Sequence, residues 1–137
     1  EETDVDALPT GLQAIARHVI RETRRVHEMA AVLRSGDLER AGALMLASHA
    51  SLRDEYEVSC AEVDAIVNVL RETEGVCGAR MTGGGFGGCV VALAEPGSDE
   101  AIARAMEGCK TRNPALSWMR VAAVGGGQLL DARLDRD

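Results

Sequence analysis

The spacing of apolar residues predicts two helices in the first part of the chain. Gly36 suits the C-terminal cap of the first helix and Asp37 the N-cap of the second, which is expected to run to about Arg53. Because the link is short, the two helices should pack antiparallel. The inward positions of the second are predicted to be Leu38, Ala41, Leu44, Met45, Ser48 and Leu52. The first helix, over about residues 11–34, is predicted from apolar residues at steps of three and four: Leu12, Ile15, Ala16, Val19, Ile20, Val26, Ala30 and Leu33.

The other face of the first helix is charged. A basic stripe is one way to bind phosphate, but a charged helix face is more often solvated, so we interpret this one as facing water. Its residues are Arg17, Arg21, Glu22, Arg24, Arg25 and Glu28.

The second half of the chain alternates between strand and helix signals. Ser59 with Glu62 three residues later forms a capping-box pattern, which predicts a third helix that ends at Gly75. Apolar segments over residues 76–82, 88–94 and 118–124 indicate strands, and a fourth helix opens at Ser98. This order favours an α+β fold with an antiparallel sheet. The apolar side of the third helix is predicted to be Val63, Ile66, Val67 and Leu70, and that of the fourth Ile102, Ala105, Met106 and Cys109.

Composition narrows the class of protein. The 137 residues are enough for one domain with its own core, and 46% of them are hydrophobic. The net charge of −7 argues against a nucleic-acid partner, and without 18 consecutive apolar residues no membrane span is expected. The four cysteines show no Cys-x-x-Cys spacing, so we expect reduced, mostly buried thiols in a cytoplasmic protein.

Five of the six residues from 83 to 88 are glycine, and they lie between two predicted strands. A two-residue hairpin turn needs only one or two glycines, so the excess favours a loop whose backbone comes close to a ligand or to another segment. Gly83-x-Gly85-x-x-Gly88 formally fits G-x-G-x-x-G. A β-like segment follows it instead of a helix, which argues against a dinucleotide site, and no Gly-Lys-Ser/Thr follows to make a Walker loop.

Residues 80–89, Arg80-Met81-Thr82-Gly83-Gly84-Gly85-Phe86-Gly87-Gly88-Cys89, resemble the third signature motif of the galactokinases, within the GHMP small-molecule kinase superfamily. The block Ser48-His49-Ala50-Ser51-Leu52-Arg53-Asp54, with Tyr56-Glu57-Val58-Ser59-Cys60 after it, resembles the galactokinase segment before that motif. Arg17-His18-Val19-Ile20-Arg21-Glu22 resembles the start of the same region. The glycine motif alone indicates the superfamily, and the second block narrows it to galactokinase.

The resemblance implies transfer of the γ-phosphoryl group of ATP, with Mg²⁺, to the anomeric hydroxyl of galactose, giving galactose 1-phosphate. The family has two domains with the site in the cleft between them. Residues 1–137 would be one domain, the GHMP kinase C-terminal domain, with a ferredoxin-like antiparallel sheet packed against helices. Galactose and ATP would be bound through the N-terminal domain.

Segments that the resemblance leads us to look for do not occur in these 137 residues. They are the sugar-binding Gly-Glu-His-Thr-Asp run, the Ser-rich phosphate loop and the aspartate proposed as base. Phosphoryl transfer depends on positioning and on charge stabilisation, so we assign no catalytic residue and no metal ligand and expect the chain alone to be inactive. The alternatives are a non-catalytic sugar- or nucleotide-sensing module and another GHMP sugar kinase such as N-acetylgalactosamine kinase.

By the same resemblance, the candidate nucleotide-binding residues are Gly83, Gly84, Gly85, Phe86, Gly87 and Gly88. Their N–H groups could face the phosphates of ATP or brace the phosphate loop of the other domain. Thr82 could add a hydroxyl donor or only pack at the end of its strand. The surface that meets the other domain is expected to be apolar, so the isolated chain is expected to self-associate.

Three polar residues near the motifs allow a structural interpretation as well as a functional one. His49 could be a proton shuttle, but a structural hydrogen bond is favoured. Arg53 and Asp54 are interpreted as an ion pair at the turn into the third helix rather than as substrate contacts.

Overall fold

The computed structural model describes residues 2–122, which contain four α-helices and two β-strands. A short 3₁₀ helix, Glu2–Ala7, precedes them. In chain order the elements are α1 Thr10–Ser35, α2 Leu38–Asp54, α3 Ala61–Arg71, β1 Val76–Thr82, β2 Cys89–Ala94 and α4 Asp99–Arg112.

The predicted helices and the two strands around the glycines are confirmed, and so is the α+β class. Gly36 caps α1 in a left-handed conformation, and the Asp37 side chain accepts from the Arg40 N–H at 2.9 Å at the start of α2. The strands pair antiparallel, with Thr82 opposite Cys89 at the end where the glycines connect them. Among residues 2–122, no helix is both long enough and apolar enough to cross a membrane.

Both predicted ends of the third helix are wrong. Its N-cap is Cys60, and the Ser59 hydroxyl instead donates to Asp64 Oδ1 at 2.5 Å. In a capping box the serine oxygen accepts from a backbone N–H in the first turn of the helix. Here the serine hydroxyl is bound instead by a carboxylate five residues away. The helix ends at Arg71, and Gly75, with φ +78°, belongs to the turn that leads into β1.

The predicted last strand is also wrong over the part that the structure describes. Residues 118–122 carry no strand pairing, although their apolar sequence favours one. A strand forms only where a neighbour accepts its hydrogen bonds, and periodicity cannot show whether that neighbour is present. Ala123 and Val124, the remaining residues of this prediction, lie outside the described residues.

The core lies where α3 and α4 cover the sheet. Met81 of β1 is almost completely buried as well, with 1% of its surface exposed. The predicted inward positions of α3 and α4 are confirmed, because their residues supply most of this core. The buried cluster consists of Val67, Leu70, Ala79, Met106 and Cys109.

Helix α2 lies unusually close to β1 because two glycines face each other. A Cβ atom at Gly42 would lie 1.9 Å from the Cys77 carbonyl oxygen, and one at Gly78 would lie 2.2 Å from the Gly42 oxygen. Neither glycine has a positive φ, so the requirement is for space and not for backbone conformation. The two backbones are therefore in direct contact at this point, which also coincides with a register irregularity of β1 between Val76 and Gly78.

The orientation of α1 differs from the prediction. Its apolar stripe faces outward, and Leu12, Val19, Val26 and Leu33 are each more than half exposed. The interpretation of its charged face as solvated is wrong for Glu22 and for the residues that bind to it, because this face packs toward α2 and β1. We call the four exposed residues, together with Ile15, the α1 stripe.

A hydrogen-bonded cluster replaces apolar packing at one end of the α1–α2 contact. His18 is buried, and its Nδ1 lies 2.8 Å from the Ser51 hydroxyl, which donates to Glu55 at 2.5 Å. Since that hydroxyl hydrogen points to Glu55, His18 Nδ1 is the donor in its bond to Ser51. Burial lowers the pKa of His18, and the ring stacks on Tyr56 with centroids 4.8 Å apart.

The cysteine prediction is correct only in part. All four are free thiols; Cys109 is buried, Cys60 and Cys77 are half-buried, and Cys89 is exposed, contrary to expectation. Burial raises the pKa of Cys77, so this residue stays a thiol at neutral pH. The exposure of Cys89 follows from its place at the outer end of β2.

We expect Gly78→Ala to destabilise the chain strongly, because the new methyl group would overlap the backbone of α2. The loss should be about 2 kcal/mol or more, the range for overpacking where the backbone must move. Gly108→Ala in α4 is the matched control, since a Cβ there meets nothing within 4 Å. It should stabilise by about 0.5–1 kcal/mol through helix propensity. Urea denaturation measures both, and equal midpoints for the two variants would contradict the close contact.

Candidate functional site

The glycine loop, residues 83–88, projects from the end of the β1–β2 hairpin. Most of it is exposed, and Phe86 has 78% of its surface open to solvent. Four of its glycines have φ between +91° and +127°, a region that other residues rarely adopt. Phe86 itself has φ +58°, which is uncommon for a bulky residue. These four glycines are therefore needed for the path of the chain, and the loop is presented at the surface.

One side of the glycine loop rests on the segment between α2 and α3. The Phe86 N–H donates to the Val58 carbonyl at 2.7 Å. A Cβ at Gly85 would lie 2.6 Å from that same oxygen. Gly85 is thus required by the fold itself, and a larger residue there would displace the loop whether or not a ligand binds.

Gly84 differs from the other glycines of the loop. A Cβ there would meet nothing within 4 Å, and its φ is not in the positive range. Neither packing nor conformation within the described chain explains why this residue is glycine. Space for a ligand or another segment to approach the backbone is one physical reason for a glycine at such a position.

His49 lies behind the loop, at the junction of α2, α3 and β1. Only 3% of its surface is exposed, and its Nδ1 accepts from the Met81 N–H at 3.4 Å. Its Nε2 lies 3.2 Å from Asp64 Oδ1 without hydrogen-bond geometry. Burial lowers the pKa of His49 and outweighs the opposing effect of Asp64, so the ring is neutral near pH 7. These contacts support the structural interpretation of His49 over the proton shuttle.

The ion pair predicted for Arg53 and Asp54 is confirmed. Two hydrogen bonds of 2.7 and 2.9 Å join the side chains, and the guanidinium of Arg53 lowers the pKa of Asp54. The pair is exposed, so it contributes little to stability. Backbone bonds hold the turn itself, since Tyr56 N–H and Glu55 N–H both donate to the Ser51 carbonyl at 3.0 Å.

A second polar cluster, which the sequence analysis missed, holds β1 just before the loop. Glu22 of α1 accepts from Arg80 at 2.7 Å, from Ser48 at 2.5 Å and from Arg25 at 2.7 Å. Burial raises the pKa of Glu22, but the three hydrogen bonds together lower it below its usual value. The cluster joins α1, α2 and β1. The sequence signal for it was that Glu22, Ser48 and Arg80 each fall in one of the three motif-like stretches.

Thr82 is exposed at the end of β1, where it pairs with Cys89. Within residues 2–122, no group of three or more His, Cys, Asp or Glu side chains could hold a metal ion. The candidate site of this chain is therefore a backbone surface, the glycine loop, supported from behind by His49 and Arg80.

Comparison with known proteins gives the family. The model of the family described as GHMP kinases, C terminal, matches residues 29–110. Galactokinase of Thermotoga neapolitana is 50% identical over 99 residues, which cover 72% of this chain and 28% of that protein. Human galactokinase is 58% identical over 80 residues, covering 58% of this chain and 20% of that protein. The chain thus spans less than a third of the length of these relatives.

Solved structures agree with the sequence matches. Lactococcus lactis galactokinase complexed with galactose superposes with a TM-score of 0.74 at 35% identity, over 82% of this chain and 30% of that one. L. major mevalonate kinase in complex with R-mevalonate gives 0.61 at 34% identity, over 69% of this chain and 28% of that one. Since the family model covers more than half of the chain, this protein belongs to the GHMP kinase C-terminal family.

Proposed function

We propose that this chain is the C-terminal domain of a galactokinase. The complete enzyme would transfer the γ-phosphoryl group of ATP, bound with Mg²⁺, to the anomeric hydroxyl of galactose. The observation that carries the proposal is the 50% identity to galactokinase over 99 residues. The higher TM-score with galactokinase than with mevalonate kinase supports the sugar kinase over that other member of the family.

The remainder of the kinase would supply what the described residues do not offer. Phosphoryl transfer requires a positioned nucleophile and charge stabilisation around the phosphates. The only buried histidines in residues 4–122 are His18 and His49, and both are engaged in structural hydrogen bonds. We therefore propose that residues 1–137 form one domain, that the sugar pocket and the base lie on another, and that the kinase acts in the cytoplasm.

The glycine loop would be this domain's contribution to the nucleotide side of the cleft. Residues Gly83, Gly84, Gly85, Phe86, Gly87 and Gly88 would bring backbone N–H groups toward the phosphates of MgATP. The exposure of the loop and the open space around Gly84 support this role. Backbone donors held in place before the reaction stabilise phosphate charge without reorganisation cost.

The α1 stripe would contact the rest of the kinase. Leu12, Val19, Val26 and Leu33 form an exposed apolar row along one helix, and exposed apolar patches often mark a surface that contacts another protein segment. In the absence of its partner domain, the stripe would bind a second copy of the chain.

Kinase activity tests the main proposal directly. The longer polypeptide that contains this chain should release ADP from MgATP only when galactose is present, and N-acetylgalactosamine should replace galactose poorly. The 137-residue chain alone should show no turnover. Sustained turnover by the chain alone, or no activity of the longer polypeptide with galactose, would contradict the proposal. Tight galactose binding by the chain alone in calorimetry would favour the sensing module instead.

A substitution at Gly84 tests the role of the loop. In the longer polypeptide, Gly84→Ala should lower kcat/KM for MgATP by about tenfold or more, because the methyl group keeps phosphate away from the backbone donors. The melting temperature should not change, since a Cβ at this position has open space. Gly108→Ala is the control: it should leave kcat/KM near wild type and should not lower the melting temperature. If Gly84→Ala keeps full activity, the loop only braces the fold.

Light scattering tests the α1 stripe. The isolated chain should form dimers or larger species at high concentration, and the double variant Val19→Glu, Val26→Glu should be monomeric. Ala31→Glu, on another exposed face of the same helix, adds a negative charge without touching the stripe and should still associate. A monomeric wild-type chain at high concentration would rule out this association.

A further inference from the structure

His49 has two contacts that lead by different routes to the glycine loop. On one side its Nδ1 accepts from the Met81 N–H, and Thr82, the next residue, is the last of β1. This N–H is directed to α2 instead of to a neighbouring strand, and a buried backbone donor needs an acceptor. The imidazole nitrogen provides that acceptor, and so it holds the strand at the point where it enters the loop.

The second route passes through α3. Asp64 Oδ1, 3.2 Å from His49 Nε2, accepts the hydroxyl of Ser59 at 2.5 Å. Ser59 directly follows Val58, whose carbonyl accepts the Phe86 N–H and whose atoms contact the position of Gly85. The carboxylate of Asp64 thus lies between the histidine and the segment that supports the tip of the loop.

We propose that His49 is a positioning residue that holds the glycine loop from both sides, at Met81 on β1 and, through Asp64 and Ser59, under Val58. It acts through these groups and does not itself touch a substrate. A neutral imidazole suits the role because Nδ1 accepts from Met81 while the protonated Nε2 packs against the Asp64 carboxylate, 3.2 Å away but not aligned as a hydrogen bond. Burial keeps the ring in this neutral form. The inference rests on the proposed function only where it concerns kinetics.

Two conservative substitutions separate the routes. In His49→Asn, Oδ1 takes the place of Nδ1 and can accept from Met81, but nothing reaches Asp64. In His49→Gln, the amide nitrogen takes the place of Nε2 and can donate to Asp64, but the acceptor for Met81 is lost. His49→Ala removes both contacts. The matched control is His18→Ala, which deletes another buried imidazole but one that bonds to Ser51.

Hydrogen exchange of the longer polypeptide, followed by mass spectrometry, is the primary measurement. In His49→Ala the peptides that cover residues 79–89 should exchange about three- to tenfold faster, as expected when a hydrogen bond that holds this segment is lost. His49→Gln should restore slow exchange at Phe86 and His49→Asn at Met81. His18→Ala should lower the melting temperature while leaving exchange in the loop unchanged.

Steady-state kinetics supply a second readout. His49→Ala should raise KM for MgATP about three- to tenfold with a smaller change in kcat, because the disordered loop would bind the phosphates less well. Partial rescue by His49→Asn or His49→Gln should accompany the rescue of exchange. A variant that only loses folded protein would lower the apparent kcat and leave KM unchanged.

The proposal is overturned if His49→Ala folds and its loop exchanges at the wild-type rate, or if His18→Ala accelerates the loop equally. If His49→Ala does not fold, Ser59→Ala tests the route through Asp64. This variant keeps the bond between His49 and Met81 but removes the one between Ser59 and Asp64, so exchange at Phe86 must still become faster. If the longer polypeptide has no kinase activity, the proposed function fails, but the exchange comparison still tests the role of His49.

Discussion

The contact between Gly42 and Gly78 is the constraint on which the rest of this structure depends. With no Cβ on either residue, the backbone of α2 lies directly against that of β1. This contact also determines where α2 and β1 meet next. Seven residues of helix rise about 10.5 Å and three residues of strand about 10 Å, so His49 arrives opposite Met81. The observed bond between them, at 3.4 Å, is the consequence. A wider spacing at the glycines would move the imidazole out of reach of β1.

The same spacing explains why α1 is held by polar contacts. With α2 so close to the strand, Ser48 lies near Arg80, and both donate to Glu22 of α1. A second cluster around His18, about one helical turn away, also joins α1 to α2. Such networks stabilise only when their members are satisfied, and they fix one orientation of the helix more strictly than apolar contact does. As a result, the α1 stripe remains exposed on the outer side of the helix.

Periodicity in the sequence was enough to predict the helices and the two strands, but it could not predict their partners. An amphipathic pattern shows that α1 has an apolar and a charged side, and the usual inference places the apolar side inward. That inference failed because Glu22 finds two donors on other elements, Ser48 of α2 and Arg80 of β1. The close contact at Gly42 and Gly78 could not be predicted either. A single glycine within a helix or a strand indicates only a locally weaker element, not which segment packs against it. Ser59 fits a capping box by spacing, but its hydroxyl is bound by Asp64.

The glycine loop shows how much of a candidate site a sequence can reveal. Its excess of glycine indicated a close approach of backbone, and Gly85 against Val58 is one such approach, made within the chain. That contact accounts for one glycine, and positive φ accounts for others, which leaves Gly84 without an internal reason. The left-handed conformation of Phe86 costs about 1–2 kcal/mol and persists only where neighbours enforce it. The bond from its N–H to Val58 is such a restraint, so the loop is held at Phe86 before any ligand arrives. For a surface whose proposed task is to offer fixed donors to phosphate, that rigidity matters more than the flexibility that glycine suggests.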